Sequence, residues 1–272
     1  MIDVQSMPDL RRIPIKKVGV KGVRYPVTVL DKANGVQHAS ATVDLFADLP
    51  HAFKGTHMSR FIEVFNEHRA DLSMPKFMRM VEEIREALHA ETAYASVRFP
   101  YFVEKTAPAS GQKSVMAYDC AFSGRAWGGG KEFRVSVSVP VQTVCPCSKA
   151  ISERGAHNQR GTVTVDVEVG PFFWIEDLIE ALESSASCDV FTLLKRDDEK
   201  LLTEKAYDNP RFVEDVVREA TTRVRDMGLF RSFIVEAENQ ESIHAHSAYA
   251  FAEYPPAHES LEMVESDEDG ED

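Results

Sequence analysis

The chain has 272 residues, 43% of them hydrophobic, which is enough for a substantial core and more than one average domain. Its formal charge of -13 excludes a non-specific nucleic-acid binder, because a polyanion is held by a basic surface that releases its counterions. No stretch reaches the roughly 20 apolar residues of a membrane span, no apolar run of signal-peptide length opens the chain, and four cysteines are too few for a disulfide framework, so a cytoplasmic protein with reduced thiols is expected.

In chain order, Val27 and Val29 lead through a turn at Asp31 to Gly35 into Ala39, Ala41, Val43 and Leu45, an alternation that predicts a strand pair. Met58, Phe61, Ile62 and Phe65 then fall at helical spacing. After Ser73 and Pro75, a cap and a first-turn proline, so do Phe77, Met80, Val81, Ile84 and Leu88. Residues 94–103 and 114–122 read as a further hairpin, and Gly128, Gly129 and Gly130 break the chain. Beyond the break, Phe133, Val135, Val137, Val139 and Val141 alternate cleanly, and Val163, Val165, Val167 and Val169 answer them. Helical spacing returns at Ile175, Leu178, Ile179 and Leu182 and again from Asn209-Pro210 through Val213, Val216, Val217, Ala220 and Val224. Residues 233–237 and 248–252 close the series as strands.

Strand, strand, helix, helix, strand, strand thus occurs twice, which divides the chain at 1–128 and 129–256; a single α+β domain without duplication is the alternative. From Glu259 onward the chain holds eight acidic residues and no basic one, so residues 257–272 are expected to be a disordered acidic tail.

The halves differ in one connection: that from Gln142 to Gly161 is long and carries Cys145, Cys147 and His157. Thiolate and imidazole suit Zn²⁺ and related metals, but this spacing matches no common structural zinc pattern, and packed thiols beside a surface histidine read equally well. A second cluster is Glu241, His244 and His246. In extended structure the two histidines would share a face and suit proton shuttling, while an exposed polar hairpin tip is the plain alternative. A third, from Lys195 to Asp215, reads alone as a charged, solvated loop entering a helix, with Glu214 in that helix's first turn, where the dipole favours a carboxylate.

Together these segments resemble the type IB GTP cyclohydrolase family of the tunnelling-fold (T-fold) superfamily. The resemblance rests on Ser138 to Lys149 (SVPVQTVCPCSK), Gly155 to Gly161 (GAHNQRG), Leu194 to Lys200 with Thr203 to Tyr207, Phe212 to Asp215, and Glu241 to His244. It extends over nearly the whole chain except the acidic tail. It implies an α+β fold of two tandem ββααββ units, antiparallel sheets with helices on one face, assembling into barrels as a homotetramer with sites at subunit interfaces. It implies GTP as substrate, opened to give formate and 7,8-dihydroneopterin triphosphate, and one divalent metal (Zn, Mn or Fe) held by Cys145, His157 and Glu199. Glu214 corresponds to the carboxylate that grips the guanine edge, and Glu241, His244 and His246 to pocket residues, the histidines as acid–base candidates. Lys149, Arg154 and Lys200, with Arg160, Lys195, Arg196 and Lys205 also at hand, are the cations available to the triphosphate. Two rivals are a tandem T-fold nitrile reductase of the queuosine pathway, whose Lys-rich NADPH signature is absent from this sequence, and a non-catalytic metal- or nucleotide-binding module.

Overall fold

The structure, a computed structural model, describes residues 5, 7, 9–51 and 53–255; the acidic stretch from 257 lies outside the described residues. The strands are β1 (Ile15–Asp31), β2 (Gly35–Leu49), β3 (Thr92–Thr106), β4 (Lys113–Trp127), β5 (Gly130–Val144), β6 (Asn158–Val169), β7 (Cys188–Asp189), β8 (Phe230–Gln240) and β9 (Ser247–Tyr254). The helices are α1 (Met58–His68), α2 (Met74–Ala87), α3 (Pro146–Ile151), α4 (Ile175–Glu183), α5 (Arg196–Asp208) and α6 (Val213–Asp226). This is an antiparallel, sheet-dominated α+β fold. Contacts group the described residues into two compact units, those up to 101 with 119–135, and 102–118 with 136–255.

In the first unit β1, β2, β3 and β4 are neighbours in that order, with Val27 opposite Ala39 and Leu45 opposite Ala95. Their alternation buries one face against α1 and α2, through Phe61, Phe65, Phe77, Met80 and Val81. Phe77, Phe122 and Phe133 meet there with ring centroids 5.2–6.1 Å apart. β1 begins at Ile15, well before the predicted Val27. Its first half is largely exposed and carries a bulge between Val20 and Val23, so it lacks the alternation that makes a strand legible.

In the second unit β5, β6, β8 and β9 are successive neighbours and β7 pairs with β5. Val163, Val165 and Val167 face Ala237, Val235 and Phe233 across the β6–β8 ladder, all buried, and α6 packs on β8 and β9. Gly161 lies opposite Asn239, and a Cβ at Gly161 would stand 2.4 Å from Asn239 Oδ1, so only glycine lets the strands close here. α5 occupies 196–208, where the sequence reads as a charged loop. Asp197, Asp198 and Glu199 in its first turn complement the helix dipole, and Leu202 and Ala206, one turn apart, are its two buried apolar side chains.

A buried ion network ties β3, α4 and β7 together in this unit. Lys105 Nζ bonds Glu183 Oε1 at 2.7 Å, Asp189 Oδ2 at 3.1 Å and the Val190 carbonyl at 3.0 Å, and the Tyr118 hydroxyl also donates to Glu183. Burial would raise the Asp189 carboxyl, but the Lys105 and Lys205 ammonium groups outweigh it and hold it below the usual range. Removing the central cation strands two carboxylates together. Lys105→Met is therefore expected to destabilise the fold by about 3–5 kcal/mol, measured by urea unfolding.

Candidate active site

The core-facing alternation of three strands continues past their apolar stretch into polar residues. On β5 it runs Val137, Val139, Val141, Thr143 and then Cys145; on β6, read backwards, Val163, Gly161, Gln159 and then His157; on β8, Val235, Ala237, Asn239 and then Glu241. The pairing makes these rows meet. Thr143 Oγ1 donates to Gln159 Oε1 at 3.2 Å, the Cys145 N–H donates to the His157 carbonyl at 3.1 Å, and Arg160 lies opposite Gln240, which brings Gln159 beside Glu241.

Cys145 caps α3. Its half-exposed sulfur accepts the Ser148 N–H at 3.4 Å, and Pro146 in the first turn needs no donor of its own. The Ser148 hydroxyl in turn accepts the His157 N–H at 2.9 Å. The His157 ring turns Nδ1 inward, 3.1 Å from Gln159 Nε2 and 3.8 Å from Glu241 Oε2, while Gln159 Nε2 donates to Glu241 Oε2 at 2.8 Å. His244 lies 6.3 Å from His157 between ring centroids, and His246 stacks on His244 at 5.2 Å. Residues 241–246 form a bend and not the extended structure from which a shared face was expected; the two imidazoles stack on each other within that bend.

Glu199 is exposed on α5, lining a cavity with Gln142, Arg160, Phe191 and Leu202. One turn beyond it, Leu202 packs into a cluster with Val144, Cys188 and Ala206, flanked by Ala156. Val144 and Ala156 are the chain neighbours of Cys145 and His157, so this cluster docks α5 beside both. Asp198 sets the helix start. This fully buried carboxylate accepts the Ala109 and Ser110 N–H groups, the Ser110 hydroxyl and the Lys195 N–H, all within 2.8 Å. Burial alone would raise its pKa, but these four donors outweigh burial and hold it well below the usual carboxylate range.

Among the described residues no three His, Cys, Asp or Glu side chains converge as a formed metal cluster. Cys145 and His157 are brought together, and Glu199 stands on the docked helix with no ion pair among the described residues. As donors they suit a divalent metal: a thiol already turned toward an N–H dipole, an imidazole, and a carboxylate without an ion pair among the described residues. Cys147 is exposed on α3. Cys188 is buried, and burial, then the neighbouring Asp189, push its thiol up to about 11, so it stays protonated.

Glu214 is exposed in the first turn of α6. Of the predicted cations, Lys149 is engaged with the Tyr207 carbonyl and ring, Lys200 with Glu204 and Lys205 with Asp189, whereas Arg154 and Arg160 are exposed without an ion pair among the described residues. Sequence reading gave no role to Ser148, Gln159 or Asp198. For Gln159 the signal was available, a polar residue two places from His157 in an otherwise valine-lined strand; for Asp198, three of whose four donors lie some 90 residues away, the sequence signalled at most a helix cap.

A family model described as "Type I GTP cyclohydrolase folE2" matches residues 1–250. The chain is 56% identical to the GTP cyclohydrolase FolE2 of Syntrophus aciditrophicus over 253 residues, 93% of this chain and 99% of that one. It is 52% identical to the GTP cyclohydrolase FolE2 of Geotalea uraniireducens, over 93% of each chain. Among solved structures, uricase from Arthrobacter globiformis aligns with a TM-score of 0.48 at 8% identity, covering 88% of this chain and 92% of that chain.

The Asp198 hub makes the start of α5 depend on one side chain. Asp198→Ala is expected to speed hydrogen exchange at the Ala109 and Ser110 amides and in the first turn of α5, with protection in the β6–β8 ladder unchanged, as read by amide exchange.

Proposed function

Since the chain belongs to the type I GTP cyclohydrolase FolE2 family and is a GTP cyclohydrolase, we propose that the polar end of β5, β6 and β8 is where it opens the guanine ring. The observation that carries this reading is the meeting of Cys145, His157 and Glu241 where three core-facing rows end. Cys145, His157 and Glu199 would hold one divalent metal, Zn, Mn or Fe. That metal would supply Lewis-acid activation of water near neutral pH.

The chain's own residues bind and move protons. Glu214 has no hydrogen-bond or ion-pair partner among the described residues, so both carboxylate oxygens are available to the N1–H and exocyclic amine of guanine, a donor pair that adenine lacks. Glu241, whose Oε1 makes no described hydrogen bond, and the stacked His244 and His246 would take the proton of the attacking water and protonate the imidazole ring of the base, which makes C8 electrophilic. Water adds at C8, the C8–N9 bond breaks, and a second water releases C8 as formate. The same groups then serve the ribose rearrangement and the reclosure that expels one water, so one water is consumed overall and 7,8-dihydroneopterin triphosphate results. Arg154 and Arg160 are the cations open to the triphosphate; Lys149 and Lys200 would first leave Tyr207 and Glu204.

The two runs of strand, strand, helix, helix, strand, strand, with α3, β7 and α5 added in the second, support tandem units at 1–128 and 129–256. β1 and β9 each end a ladder with one strand neighbour, and Tyr249 and Phe251 on β9 are exposed. Such edges call for pairing with another chain, which supports a homotetramer closed into barrels, with each site completed at a subunit interface. Among the described residues no helix is long and apolar enough to cross a membrane.

The test is formate and pterin production by metal-reconstituted protein. Cys145→Ala is expected to abolish turnover with loss of bound metal, and Glu214→Ala to abolish it with the metal retained. Full activity in either variant overturns that assignment.

A further inference from the structure

The first unit holds a cavity of about 220 Å³ lined by Lys17, Tyr94, Ser96, Arg125, Glu132 and Arg134. Tyr94 alternates with the buried Ala93 and Ala95, and Arg125 with the buried Gly124 and Ala126, so both stand on the face away from α1 and α2. A Cβ at Gly124 would meet Phe77 of α2 at 2.8 Å, which fixes which face is which. Lys17 Nζ lies 4.3 Å from the centroid of the Tyr94 ring. The Arg125 guanidinium carbon lies 5.7 Å from that same centroid and 4.8 Å from the Trp127 ring. Trp127 rests in turn on the glycines that break the chain: a Cβ at Gly129 or Gly130 would stand 3.2 or 3.0 Å from its indole. Small residues there let the indole lie against the turn and seat Arg125.

Neither Lys17 nor Arg125 has a carboxylate partner among the described residues, although acidic residues outnumber basic ones 44 to 31 in the chain. Aromatic rings hold them side by side instead. A ring face attracts a cation but cancels none of its charge and accepts few of its N–H groups, so two like charges are kept close with their donors unused. Arg134, 3.6 Å from Glu132, brings the cavity to three cations against one carboxylate. We propose that this cavity binds a phosphate chain. A lone carboxylate would leave positive charge over, whereas a di- or triphosphate carries enough negative charge to balance it, and its oxygens suit both the arginine fork and the lysine point charge. The Ser96 hydroxyl accepts from Arg98 at 3.4 Å and keeps its own proton to donate. The volume is below the roughly 300–1,000 Å³ that encloses a drug-sized ligand, so the phosphates enter and any attached nucleoside stays outside. None of these residues belongs to the metal or guanine set proposed above, and the cavity stands whether or not that set does.

Trp127 touches the cavity through Arg125, so its fluorescence reports occupancy once Trp174, the other tryptophan of the chain, is replaced. The full-length Trp174→Phe protein is titrated with inorganic tripolyphosphate at low salt, where exposed charges are least screened. Trp127 emission is expected to change and saturate, and NaCl at matched ionic strength to produce no such change. Lys17 is exposed on the first half of β1, so Lys17→Met leaves the core untouched. It is expected to weaken tripolyphosphate binding about tenfold, the worth of a hydrogen bond to a charged group. Glu132→Gln removes a repelling carboxylate and releases Arg134 from it; it is expected to tighten binding about two- to fivefold, a gain that a merely structural role would not produce.

GTP titrated in parallel separates the two sources of such a chain. Affinities alike for GTP and tripolyphosphate mean that the phosphates alone are read and free polyphosphate fills the site; GTP binding about tenfold tighter or more means that a nucleoside triphosphate does, its nucleoside resting on the rim. Absence of a saturable response to tripolyphosphate overturns the proposal, as does a response that NaCl reproduces. So does an affinity in Lys17→Met within about twofold of the parent, or weaker binding in Glu132→Gln.

Discussion

The hydrogen-bond register between β5, β6 and β8 decides which side chains meet at the polar end of the second unit. Gly161 pairs with Asn239, Thr143 bonds Gln159, and Cys145 bonds the backbone of His157. Because side chains alternate along a strand, a slip of one residue would turn all of these to the opposite face at once. The valines earlier in the same rows prevent that slip, since each is worth about 1.5–3 kcal/mol buried and would be exposed by it. The apolar stretch therefore acts as the ruler, and the chemistry sits on its last marks.

Holding polar groups there has a desolvation cost, which the fold meets by satisfying them in chains. Gln159 uses its amide in three directions, and Asp198 uses both carboxylate oxygens against four donors. Lys105 satisfies two carboxylates and a carbonyl. Each network joins elements distant in sequence, so each converts a local polar group into a constraint on where β6, α5 or α4 can stand. α5 illustrates the result: Asp198 fixes its first turn, Leu202 docks its body on Val144, and Glu199 between them has no ion pair among the described residues.

Much of this was readable before any coordinates. Alternating valines located β5 and β6, helical spacing located α1, α2, α4 and α6, and Pro75 and Asn209-Pro210 marked helix boundaries correctly to within a few residues. The exposed half of β1 and the whole of α5 escaped, for opposite reasons. β1 is half solvated and bulged, so no face is apolar; α5 buries only Leu202 and Ala206 among charged residues, so its apolar face is too narrow to register as a period. The motifs carrying Cys145, His157, Glu199, Glu214 and Glu241 were legible as sequence because they resemble those of a family, and the family match covers the same stretch.

By itself the sequence determined most of the strands and helices and the residues able to offer sulfur, nitrogen and oxygen donors, because these depend on residue type and short-range period, and the family and activity, because whole motifs resemble those of known relatives. Only the tertiary structure decided that Gln159 joins His157 to Glu241, that Asp198 anchors α5 through a turn some 90 residues away, and that Lys149, Lys200 and Lys205 are already engaged. Those are matters of distance between separated segments, and distance is set by strand register and packing, which no local pattern in the chain encodes.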